Sequence, residues 1–273
     1  MYKNWWWLYC PVLLFILILL INTYLSSIGV EANTYINNMN YGSHYFINEN
    51  KYYYKNLADF LLNHENGIIE LGTVLILLPA VIFGFLIISL RDFFYSKIII
   101  IWFLSLTLAC IYFAGEEISW GQHFFSWNTP DYIKGINDQE ETNIHNISSW
   151  FDQKPRLILE LFVLIGGLII PLITYFYGRN YKINECKYWI YPSYQLIPIS
   201  ILVILIKTFD RLDFLNYRYY IDELPLSIFQ AFYFKIFYGI RINETQELFF
   251  AYFLMLYMLV SYKKIKYVKN SNL

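Results

Sequence analysis

The sequence predicts an all-α fold: a polytopic transmembrane helical bundle of about six spanning helices, with short interfacial helices in its extracytoplasmic loops. Three observations carry this reading. The 273 residues are 58% hydrophobic and 15% charged, with a mean hydropathy of +0.39. Several apolar runs are long enough, at a rise of about 1.5 Å per residue, to cross the ~30 Å of a hydrocarbon core. Lysine and arginine concentrate in alternate loops, the bias that orients membrane proteins. Residues 1–273 therefore read as a single integral membrane domain.

The first run, Trp5 to Leu25, follows Lys3 and is too long and too aromatic at its start for a secretory leader, so it reads as an uncleaved anchor. Gly67 to Leu90, Ile98 to about Gly115, and Leu157 to Tyr177 are the strong spans. Tyr188 to Ile206 is weakened by Pro192 and Pro198. Gln246 to about Tyr262 is short unless it extends in either direction. Leu226 to Ile240 is apolar with one lysine and reads as an interfacial or re-entrant segment.

Lys3, Arg91 with Lys97, Arg179 with Lys182 and Lys187, and the run from Lys263 fall on one side of a six-helix arrangement. That side is expected to be cytoplasmic, with both termini, and the location a bacterial inner (plasma) membrane. Ser26 to Asn66, Ile118 to Arg156 and Lys207 to Thr245 then face outward.

Composition excludes several classes. A net charge of −1 gives no basic field for nucleic acid. Cys10, Cys110 and Cys186 have neither zinc-type spacing nor a disulfide framework. The 27 Tyr and 23 Phe accompany abundant Ile, Asn and Lys, a pattern of codon bias, so aromatic number alone carries no functional signal. No phosphate-binding glycine loop and no nucleophile elbow is present.

The stretch CIYFAGEEISWGQHFFSW places Glu116 and Glu117 at the end of an apolar run. Acids at the start of an outward-beginning helix suit its N-terminus, which accounts for Glu160, Glu244 and Glu247 but not for a pair at a helix C-terminus. If the third helix continues past Gly115, then Glu116, Ser119 or Trp120, and His123 share one face, with Glu117 beside them. In NTPDYIKGINDQEETNIHN, Thr129 and Pro130 predict the cap and first turn of a short helix to about Gly135. Asp138 is then positioned to cap a second helix, on which Glu141 and His145 lie four apart.

Carboxylate and imidazole are both proton carriers and metal ligands. The candidate catalytic set is Glu116, Glu117, His123, Glu141 and His145. Glu117, His123, Glu141 and His145 are also candidate ligands for a divalent metal ion, a nitrogen and oxygen set without thiolates. The structural alternative is that Glu141 caps a helix and His145 packs beneath a loop. Trp120, Gln122, Asn128, Gln139, Asn143 and Asn146 suit a polar head group, and Arg211 suits a phosphate. His44 and His64 read as surface histidines.

The order GEEISWGQ, TP, INDQEETNIHN resembles a bacterial family of multi-pass membrane proteins with no assigned activity, a likeness confined to Gly115 to Asn146. The DELP at Asp222 resembles alkaline ceramidases, zinc-dependent seven-span amidases, but their histidine pattern is missing and none of their residues carries over. The expectation is a membrane-embedded hydrolase or group transferase with an extracytoplasmic-facing Glu/His site, acting on a lipid or lipid-linked substrate among the membrane lipids. The alternative is a transporter, channel or membrane-complex subunit whose acids line a cation or proton path.

Overall fold

The computed structural model describes residues 9–28, 45–48, 51–54, 67–137, 141–144, 147–178, 181–217 and 242–271. Regular structure among these is helical apart from one antiparallel hairpin, β1 (Tyr45–Asn48) with β2 (Lys51–Tyr54), in register Tyr45 opposite Tyr54. Five helices are long and apolar enough to cross a membrane: Ile68–Ser89, Lys97–Glu117, Gln153–Phe176, Cys186–Thr208 and Ile242–Ser271. The helix α1 (Cys10–Ile28) carries a shorter apolar stretch, Cys10–Ile21. Leu226 to Ile240, His44 and His64 lie outside the described residues.

The described residues group into two units. The first, within Met1–Glu70 and Leu205–Gln246, holds α1 and the hairpin. In it Lys207 Nζ donates to Asn243 Oδ1 at 2.6 Å. Arg211 is exposed there.

The second unit, Leu71–Ile204 with Glu247–Leu273, contains most of the spanning structure. Helix α2 (Ile68–Ser89) meets α3 (Lys97–Glu117) at a small-residue contact, where a Cβ on Gly84 would collide with the Thr107 side chain. Without that Cβ the backbones approach closely, as helices in lipid commonly require. Ser96 caps α3, its hydroxyl accepting from the Ile98 amide at 3.3 Å.

After two short helices, α4 (Gln122–Phe125) and α5 (Asp131–Lys134), the next span is α6 (Ser149–Leu161), a wide π turn over Phe162–Ile169, and α7 (Ile170–Phe176). The widening just precedes Pro171, whose ring crowds the carbonyl four residues back and which has no N–H to give it. That carbonyl belongs to Gly167, where a Cβ would run into Ser200 and Phe253.

Proline also divides the following span. Helix α8 (Cys186–Ile190) stops ahead of Pro192, which disfavours helix at Tyr191, and α9 (Ile197–Tyr217) resumes after a 3₁₀ turn. The break deprives the Ile190 carbonyl of a helical donor, and Tyr257 supplies one: its hydroxyl donates to that oxygen at 2.5 Å and accepts from Trp102 Nε1 at 2.8 Å. Tyr257 lies on α10 (Ile242–Ser271), fully buried with Phe249, Phe253 and Phe103. The run expected from Gln246 to about Tyr262 extends at both ends into a helix of 30 residues.

Candidate functional site

The third span continues two residues past Gly115 and then turns sharply. Ser119 (φ 46°), Trp120 (φ 57°) and Gly121 (φ 92°) are all left-handed, so the single helical face expected to run from Glu116 to His123 is not formed. Only Gly121 adopts this conformation without steric cost. Reversal brings Trp120 back over the helix end, where Gly115 leaves room: a Cβ there would lie 2.8 Å from the indole ring. Trp120 Nε1 then donates to Glu116 Oε1 at 2.7 Å.

The second oxygen of Glu116 reaches across the loop. Its Oε2 accepts from the Ile144 amide at 2.7 Å. Beside it the Ser119 hydroxyl donates to Glu141 Oε2 at 2.5 Å, and Asn143 Nδ2 donates to Ser119 Oγ at 3.0 Å and to Glu141 Oε2 at 2.5 Å. Asn137 closes the cluster, donating to the Asn143 carbonyl and side-chain oxygens at 2.8 and 2.9 Å and accepting from the Glu141 amide at 3.2 Å. Glu116 (4% exposed), Ser119, Asn137, Glu141 (6%) and Asn143 are all buried. Two buried carboxylates are thus surrounded by donors, the condition that makes such burial tolerable.

A third tie runs through Gln122. Its Oε1 accepts from the Thr142 amide and hydroxyl, both at 2.7 Å, and its Nε2 donates to Thr129 Oγ1 at 2.8 Å. Thr129 therefore does not cap the next helix, which runs only Asp131–Lys134 and has Pro130 at its N-cap without a side-chain bond. Nor does Glu141 sit on a helix: residues 141–144 are irregular, with the amides of Glu141, Thr142 and Ile144 donating to the side chains of Asn137, Gln122 and Glu116. Asn128 is exposed. Gln139, His145 and Asn146 lie outside the described residues, as does the side chain of His123.

Glu117 has a different neighbourhood. One residue on, it is rotated by about 100° around α3 from Glu116. A carboxylate oxygen of Glu117 lies within 4.8 Å of one on Glu247 in α10. Glu247 in turn accepts from Arg156 Nη2 at 2.5 Å, and all three side chains are half-buried. Three spans meet here through their ends: the last residue of α3, the second turn of α10 and the second turn of α6. Among the described residues the carboxylates grouped with Glu117 do not include Glu141.

Sequence reasoning missed Arg156 and the pairing of Glu117 with Glu247. A basic residue closing the predicted outer segment, immediately before the span at Leu157, and an acid at the start of the last span were the available signal. No family model, curated protein or solved structure matches the chain.

Proposed function

We propose that this chain is an integral membrane enzyme, a hydrolase or group transferase, acting on a lipid or lipid-linked substrate at Glu117, Glu247 and Arg156. The observation that carries the reading is the Arg156–Glu247 ion pair within carboxylate reach of Glu117 at the ends of three apolar helices. A guanidinium presents a planar fork of donors suited to a phosphate or a developing oxyanion, and a fixed carboxylate beside it can take a proton from water or a hydroxyl. Arg156 and Glu247 lie within helices of spanning length, Gln153–Phe176 and Ile242–Ser271, where an ion pair is a candidate site.

In this reading Glu116, Ser119, Gln122, Glu141 and Asn143 hold the end of α3 and so position Glu117. A divalent metal ion belongs to the proposal through the carboxylates of Glu117 and Glu247, with His123 and His145 as further ligands. The basic-loop bias supports six crossings, cytoplasmic termini, interfacial helices and an outward-facing site in a bacterial inner membrane.

The test is conversion of a total bacterial lipid extract by protein reconstituted in nanodiscs, with products followed by mass spectrometry. The wild type should convert at least one lipid, and Glu117→Gln and Glu247→Gln should lose that conversion by about 10²-fold or more, the usual scale for removing a general base. Proton or cation flux through proteoliposomes, abolished by Glu117→Gln and unaccompanied by lipid conversion, would replace the enzyme with a conduit.

A further inference from the structure

We propose that Phe124, Phe125, Trp127, Tyr132, Ile136 and Trp150 form a lipid-contacting edge, seated in the interfacial zone of the bilayer that the flanking helices cross. All six are exposed, Phe125 at 78%, Tyr132 at 75% and Trp150 at 60%. Five of them fall within the 13 residues from Phe124 to Ile136, a local concentration of exposed apolar side chains that calls for an apolar surrounding. The aromatic abundance of the whole chain says nothing here; what matters is where these rings are held.

Their position fixes the partner. Trp150 lies on α6, three residues before the span beginning at Gln153, and so about 4.5 Å along the helix axis from its edge. Phe124 and Phe125 belong to a short helix, Gln122–Phe125, that starts five residues after the last residue of the α3 span. Between these points the segment is tied back to the end of α3, because Ile144 is hydrogen-bonded to Glu116, and Glu141 and Asn143 to Ser119 just beyond it.

Phe125, Trp127 and Trp150 are also held by neighbours rather than loosely displayed. Phe125 and Trp127 stack with centroids 5.9 Å apart and planes 6° from parallel, and they cover Gly121, where a Cβ would lie 3.2 Å from the Phe125 ring. Trp127 Nε1 donates to Thr142 Oγ1 at 3.2 Å, tying the pair to the buried polar network. Trp150 and Phe151 meet edge to face at 5.3 Å. Amphipathic aromatic rings partition to the headgroup level, where an apolar body and a polar tip are both accommodated. Rigid presentation avoids the ordering cost that a loose loop would incur on insertion.

The inference rests on the spans crossing a membrane and is independent of the catalytic reading. It is tested without an activity. With Cys10, Cys110 and Cys186 replaced by alanine, a nitroxide is placed at Phe125→Cys, Tyr132→Cys and Trp150→Cys, and at exposed Asn128→Cys as reference. The protein is reconstituted in vesicles of phosphatidylcholine and phosphatidylglycerol. The ratio of oxygen to water-soluble nickel-chelate collisions should be several-fold higher at the three aromatic positions than at Asn128. On the chain with its native cysteines, lipids brominated in the tails should quench tryptophan fluorescence, less so in Trp127→Phe/Trp150→Phe. Nickel accessibility at all three positions equal to that at Asn128 would overturn the proposal. So would protection from both colliders with spin–spin broadening between molecules, which would make this edge a contact with a second copy.

Discussion

The Ile144 amide donates to Glu116 Oε2 at 2.7 Å across 28 residues of sequence, and this bond makes the outer loop part of the helix end. It gives the two adjacent glutamates separate duties. Glu116 is enclosed by donors from its own loop, whereas Glu117 is turned toward Glu247 and Arg156.

Glu116→Ala should destabilise the protein by about 1–3 kcal/mol, because the Ile144 N–H and Trp120 indole N–H both lose a buried charged acceptor. Thermal unfolding in detergent measures the loss, and limited proteolysis should show earlier cleavage between Ser126 and Ser148. Unchanged unfolding and cleavage would remove the network's structural role.

Gly115→Ala should act through Trp120, since the added methyl would meet the indole at 2.8 Å. Trp120→Ala removes that obstacle along with the bond to Glu116. The double variant should therefore be less destabilised than the sum of the singles, a coupling of about 0.5–3 kcal/mol for groups in direct contact. Simple additivity would mean the ring moves aside without cost.

Tyr257→Phe should cost about 1–3 kcal/mol by leaving the Ile190 carbonyl without its donor at a helix break. Thermal unfolding reads this too. A neutral result would mean that the interrupted α8–α9 span satisfies its backbone by another route.

Outside labelling of single cysteines should reach Asn128→Cys and miss a cytoplasmic probe at Asn180→Cys, as the basic-loop bias requires. Asn128 is exposed, while Asn137, an equally plausible loop position by sequence alone, is buried and donates to Asn143. Labelling of Asn180→Cys in intact cells would reverse the orientation.

Five of the expected spans were readable in the sequence because each is a long apolar run, a signal that hydrocarbon thickness itself imposes. Their ends were less so. The last helix gains a polar first turn at Asn243 and Glu244 and a C-terminal stretch carrying Lys263, Lys264, Lys266 and Lys269, residues that hydropathy discounts but a helix accepts. The left-handed turn at Ser119 and Trp120 had no signal beyond Gly121, since neither residue favours positive φ. Glu141 and Asn143 looked like helix and head-group chemistry because their shared partner, Ser119, is more than 20 residues away in sequence, as Glu116 is from Ile144. For the same reason the pairing of Arg156 with Glu247, separated by 91 residues, was invisible to local spacing.

The most direct test of the account is lipid turnover per folded molecule for Glu117→Gln, measured in nanodiscs beside Glu116→Gln. The separation of duties predicts that Glu117→Gln keeps its unfolding temperature and loses turnover by about 10²-fold or more, while folded Glu116→Gln retains turnover. Full turnover in Glu117→Gln would contradict it.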